Sequence, residues 1–156
     1  MDAAIRKYRY KLIYSGYAVI AFGAWSIARV FLMKTFDASG LQDYLGVADN
    51  LPETVNPAFA FLLAGLALDL LFRLYVGRSA VREGRGTKKK LTYVVLTILY
   101  TAVNLLADLG YLLGLLRGNE STALLAAVIV DVTASVAMLE IIVSSLALRR
   151  LGRTAA

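Results

Sequence analysis

The chain has no cysteine and no histidine among its 156 residues, and it has only two prolines. Without cysteine it cannot form disulfide bonds, and it also lacks the usual protein ligands of structural zinc. The same absence excludes catalytic triads that depend on histidine or cysteine. Charge is sparse as well, since 18% of the residues are charged against about 25% in a typical soluble domain. We therefore predict no cofactor, no metal site and no catalytic residue.

Apolar residues take the place of the missing types. They make up 59% of the chain, and the mean hydropathy is +0.66. A helix needs about 20 mainly apolar residues to cross the hydrocarbon core of a membrane, and four blocks meet that requirement. We predict an all-α, polytopic integral membrane protein, in which residues 1–156 form a single four-helix transmembrane domain. The predicted helices cover residues 12–33, 57–76, 91–116 and 122–148.

Two local signals refine this prediction. Asn56 followed by Pro57 is typical of a helix start, with asparagine as the N-cap and proline at the first helical position. The connection at residues 37–55 has a capping pattern followed by apolar residues at helical spacing. It is predicted to form a short amphipathic helix on the outer surface of the membrane.

The distribution of lysine and arginine predicts the orientation. Fourteen of the 17 basic residues lie in the N-terminal arm, in residues 73–90 or in the C-terminal tail. By the positive-inside rule both termini are expected in the cytoplasm, and the small size favours a bacterial inner membrane. The loop after the second helix is expected to meet anionic lipid headgroups rather than nucleic acid. Its basic residues are Arg78, Arg82, Arg85, Lys88, Lys89 and Lys90.

Six ionisable residues lie within the apolar blocks, where each costs about 2.5–3.5 kcal/mol on insertion scales and indicates a function by default. Counted from the helix midpoints, they predict two layers. The outer layer contains Arg29, Asp108 and Asp131, and the inner layer contains Asp69, Arg73 and Glu140. In each layer one arginine accompanies two acids.

The third helix carries a polar stripe at steps of three and four residues, which places these side chains on one face. Lipid cannot satisfy such a face, so it must contact protein or water. The stripe includes Tyr93, Thr97, Tyr100, Thr101, Asn104, Asp108 and Tyr111. About a quarter-turn away, Val103, Ala107, Gly110 and Gly114 form a strip of small residues suited to close helix packing.

The charges allow structural and functional interpretations. Asp69 and Arg73, four residues apart, fit an internal ion pair. Arg29 is expected within reach of Asp108 or Asp131, whereas Glu140 has no evident partner. Four acids against two arginines leave two acids to be protonated or balanced by a cation.

This imbalance favours a small transporter or channel subunit that is proton- or cation-coupled and acts as a homo-oligomer. Its predicted pathway residues are Arg29, Asp69, Arg73, Asn104, Asp108, Tyr111, Asp131 and Glu140. The first alternative is a non-catalytic accessory, assembly or sensing subunit of a larger membrane complex. The second is a membrane-embedded enzyme that acts on lipid substrates.

Overall fold

The computed structural model of the protein describes residues 2–37, 41, 52–87, 91–116 and 122–154. These residues form four long helices and no strand. The helices are α1 (Asp2–Phe36), α2 (Pro52–Gly84), α3 (Thr92–Leu116) and α4 (Thr122–Thr154). Each helix contains a segment long and apolar enough to cross a membrane. The prediction of an all-helical protein is confirmed for the described residues, and so is the presence of four helices long and apolar enough to span a membrane.

The start of α2 differs from the one that the capping signal predicts. This helix begins at Pro52, so Asn56 is not its N-cap and Pro57 lies inside the helix. The amphipathic helix predicted for residues 37–55 falls mostly outside the described residues, and residues 52–55 belong to α2. At their charged ends α1, α2 and α4 continue beyond the apolar blocks. Arginine and lysine are good helix formers, and extending an existing helix costs little.

Helices α1 and α2 pack closely because glycines lie in their interface. A Cβ atom added to Gly77 would lie 2.5 Å from the carbonyl oxygen of Gly16, so only glycine fits there. Facing positions repeat every seven residues along both antiparallel helices. The facing pairs are Arg9 with Gly84, Gly16 with Gly77, and Gly23 with Leu70. The seven-residue repeat keeps the small residues in the interface over three successive contacts.

The other helices extend this pair. Helix α4 packs against α1, α3 packs mainly against α4, and α2 meets α3 and α4 at few points. The larger apolar core lies where the charged helix ends meet and includes Leu12, Val76, Tyr93 and Ile141. A smaller apolar cluster contains Val30, Leu41 and Phe59.

Cross-helix contacts place the charged ends of the four helices together. Glu83 near the end of α2 contacts Tyr93 at the start of α3 and Arg149 near the end of α4. Arg85, which follows α2, donates to Tyr17 of α1. We call this end of the helices the basic end. The described basic residues at the start of α1 and at the ends of α2 and α4 therefore share one side of the protein.

Helix α2 ends in a turn that requires glycine. The Thr87 N–H donates to the Arg82 carbonyl at 3.0 Å, and the Gly86 N–H donates to the Glu83 carbonyl at 2.9 Å. Gly86 has a φ of 95°, which side chains disfavour. This arrangement is a Schellman motif, which satisfies carbonyls at the helix end.

Three residues of the small-residue strip predicted on α3, Val103, Ala107 and Gly110, are exposed in the described structure. Val103 is 67% exposed, and nothing lies within 4 Å of a Cβ added to Gly110. These three residues therefore provide no close helix packing within one chain, and the surroundings of Gly114 lie outside the described part of the structure. The close packing is provided by the glycines of α1 and α2, whose seven-residue spacing was visible in the sequence.

Candidate functional site

Arg73 lies at the centre of a charged cluster within the apolar part of the helices. Its Nε is 2.7 Å from Asp69 Oδ2 on the same helix, and its Nη2 is 3.7 Å from Asp131 Oδ1 on α4. The predicted pair of Asp69 and Arg73 is confirmed. The division into two layers is wrong, because Arg73 contacts an acid from each of them. The layers were inferred from the depth of each residue's backbone. The arginine side chain is long, so the guanidinium of Arg73 reaches an acid that was assigned to the other layer.

Neighbouring helices hold Arg73 and Asp69 in place. The Tyr100 hydroxyl on α3 donates to Asp69, and the Tyr100 ring stacks on Phe72 with centroids 4.4 Å apart. On α1, a Cβ added to Gly23 would lie 2.9 Å from Cδ of Arg73. The missing side chain of Gly23 thus makes room for the Arg73 stem. All four helices contribute to the cluster.

Asp108 of α3 is the least satisfied acid in this cluster. The residue is 6% exposed, and among the described residues its Oδ2 has no hydrogen-bond partner. It lies within electrostatic range of both Asp131 and Arg73. Burying a carboxylate oxygen without a hydrogen-bond partner costs free energy. A purely structural role gives no reason for the protein to bear this cost.

The charges of the cluster do not balance. Arg29 acts electrostatically on Asp131, as Arg73 does. Three acids (Asp69, Asp108 and Asp131) therefore share two guanidinium groups. One negative charge in excess remains for the cluster to neutralise by a proton or a cation.

The polar stripe of α3 faces other helices along much of its length. Thr97 and Thr101 are buried; the first donates to the Tyr93 carbonyl at 2.7 Å and the second contacts Met138 Sδ at 3.6 Å. Asn104 is half-buried. The side chain of Tyr111 lies outside the described part of the chain. The described stripe leads from the basic end to Asp108.

Glu140 does not belong to this cluster. Lys11 Nζ donates to its Oε1 at 2.8 Å, and the Ser15 hydroxyl donates to its Oε2 at 2.6 Å. The expectation that Glu140 has no evident partner is wrong, because Lys11 and Ser15 of α1 contact it on the side of α4 opposite Asp131. Lys11 was counted with the N-terminal arm in the sequence, so it was not considered as a partner within the helices.

The sequence analysis missed a second polar cluster, which lies at the basic end. Glu83 accepts hydrogen bonds from Tyr93, from Ser145 at 3.1 Å and from Arg149 Nη2 at 3.2 Å. The Glu83 side chain is 10% exposed. Glu83 connects α2, α3 and α4. The sequence contained a signal for this cluster, because Glu83 is the single acid in the basic stretch between Arg78 and Lys90.

We expect Glu83→Gln to lower the free energy of unfolding by about 1–2 kcal/mol. The reason is that hydrogen bonds to a charged acceptor stabilise a protein by about this much more than hydrogen bonds to a neutral one. Glu140→Gln is the matched control and should cause a smaller loss, because the 40%-exposed Glu140 side chain is accessible to water and headgroups. Unfolding in detergent micelles measures both. Equal losses would show that the Glu83 cluster adds no special stability.

The described residues define a class of protein. It is an integral membrane protein of four long helices with a charged cluster among them. Among these residues no group of three or more acids is placed to hold a metal ion. Comparisons with models of protein families, with curated proteins and with solved structures give no match.

Proposed function

We propose that the protein is a small transporter or channel subunit coupled to protons or other cations, and that Asp108 is the carboxylate that binds them. One observation carries this proposal. Asp108 is buried, its Oδ2 has no hydrogen-bond partner among the described residues, and it interacts electrostatically with Asp131 and Arg73. A carboxylate in this setting gains more from a proton or a cation than one that is already fully paired.

The excess charge supports the same assignment. Asp69 is held by Arg73 and Tyr100, and Asp131 by Arg73 at 3.7 Å. Asp108 is left to neutralise the remaining charge. In this proposal Arg73 and Arg29 position the acids, and the excess negative charge of the cluster raises the barrier to anions. Asn104 and the threonines of the α3 stripe provide polar groups along the approach to Asp108.

The proposal includes an orientation and an assembly. Both termini and the loop after α2 lie in the cytoplasm, because the basic end gathers most of the lysine and arginine. The membrane is the bacterial inner membrane, and residues 37–55 lie on its outer side. Four helices rarely enclose a pathway alone. The sparse contact between α2 and α3 supports a homo-oligomer in which a second copy completes the enclosure.

The test is ion flux into liposomes that contain the purified protein. We expect gradients of protons or of organic cations to drive uptake that depends on pH. Asp108→Asn should reduce this uptake to the level of empty liposomes, because an amide cannot take up a proton or neutralise a cation. Asp108 is a better target than Asp131, since loss of Asp131 also removes a partner of Arg73.

Glu140→Gln is the control for this experiment, because Glu140 is an acid on a membrane helix but is paired with Lys11 outside the cluster. It should retain uptake. Uptake that survives Asp108→Asn would disprove the role of Asp108. If the wild-type protein gives no flux of protons, sodium, potassium or organic cations, the accessory-subunit alternative replaces the transporter.

A further inference from the structure

We propose that a groove between α1 and α2 at the basic end binds the phosphate of one anionic phospholipid. The groove has a volume of about 310 Å³. It is lined by Tyr17 and Ile20 of α1, by Arg78, Val81 and Arg82 of α2, and by Arg85 just after α2. The proposal is independent of the proposed transport function, because it concerns a surface separate from the charged cluster.

The three arginines suit a phosphate. They follow one another at steps of four and three residues, so they share a face of α2 and of the turn that ends it. All three are exposed, and no carboxylate of the described residues lies within the ion-pair distance of 4 Å from them. Arginine binds phosphate through paired N–H groups that match two of its oxygens. Positive charge of this density without a protein counter-charge indicates an anionic ligand.

Tyr17 fixes one side of the groove. Nη2 of Arg85 donates to the Tyr17 hydroxyl at 3.0 Å, which holds the guanidinium against α1. The remaining N–H groups of Arg85 are then oriented before a ligand arrives, and binding loses less side-chain entropy. The sequence predicts general attraction to anionic headgroups for all six basic residues from Arg78 to Lys90, and the groove goes beyond this by giving three of them one oriented site.

The position and the floor of the groove favour a lipid over a free phosphate. Arg78 lies two residues after the apolar block 57–76, where headgroups begin, and Arg85 lies about 10 Å further along the chain at 1.5 Å per residue. Ile20 and Val81 supply apolar surface beside the arginines. A phosphate diester attached to glycerol and acyl chains uses both surfaces, whereas inorganic phosphate uses only the charge.

The experiment counts lipids bound to the purified protein by native mass spectrometry, with phosphatidylglycerol and phosphatidylcholine added in turn. We expect one phosphatidylglycerol to be retained at a saturable site and phosphatidylcholine to be lost. A variant with Arg78→Gln, Arg82→Gln and Arg85→Gln should lose this lipid, with about a fivefold weaker affinity for each arginine removed. Tyr17→Phe should weaken retention while leaving the net charge unchanged.

The matched control replaces Lys88, Lys89 and Lys90 with glutamine. It removes the same amount of charge from a neighbouring stretch of the chain but keeps the three arginines of the groove, so the single lipid should remain. Equal loss in both triple variants would show diffuse attraction and overturn the proposal. Displacement of the lipid by inorganic phosphate at similar concentrations would overturn the assignment to a lipid. Circular dichroism checks that the arginine variant keeps its helices, as expected for exposed side chains.

Discussion

Replacing Arg73 with methionine is expected to lower the free energy of unfolding by about 3–5 kcal/mol, the cost of removing one partner from a buried ion pair. Methionine approximates the length of the arginine stem, so packing against Gly23 is largely kept. Asp69 and Asp131 lose the guanidinium that they share. The loss should shrink at low pH, because protonated acids no longer need a counter-charge. Unfolding titrations in mixed detergent micelles at several pH values measure this.

Two further variants test whether the loss comes from the shared charge. Arg73→Lys keeps the charge but has a compact ammonium that is less suited to bridging two acids, so its loss should be intermediate. Asp69→Asn combined with Arg73→Met should cost less than the sum of the two single changes, because the double variant leaves fewer unpaired groups. Additive losses would show that Arg73 and Asp69 do not act as a pair.

Gly77→Leu is expected to separate α1 from α2 and to destabilise the protein by about 3 kcal/mol, at the upper end of the usual cost of overpacking. Even a Cβ at this position would lie 2.5 Å from the Gly16 carbonyl oxygen and 2.6 Å from Ile20. The first of these atoms belongs to the backbone of α1, so a side-chain rotation cannot relieve the clash. The loss of monodisperse protein on heating, followed by size-exclusion chromatography, measures the effect.

Gly65→Leu is the matched control on the same helix. Nothing lies within 4 Å of a Cβ added to Gly65, so leucine there should leave the stability nearly unchanged or raise it slightly through its better helix propensity. If Gly65→Leu and Gly77→Leu destabilise the protein equally, the effect belongs to leucine in α2 in general, and the close contact with Gly16 is not what holds the helices together.

The sequence by itself predicted the elements and much of the chemistry. Four apolar blocks predicted four membrane-spanning helices, because length and hydropathy alone decide whether a segment can cross a membrane. The pair of Asp69 and Arg73 was also predictable, since residues four apart on a helix meet whatever surrounds them. The burial of Thr97, Thr101 and Asp108 follows the stripe that their spacing placed on one face of α3. These features depend on one helix at a time.

Only the tertiary structure decided which helices face one another and at what register. It paired Arg73 with Asp131, Glu140 with Lys11 and Glu83 with Arg149. It also placed the close packing at Gly16 and Gly77 rather than at Gly110. The physical reason is that periodicity fixes the face of a helix on which a side chain lies, but not the neighbour that this face meets. The neighbour depends on how the helices pack together along their length.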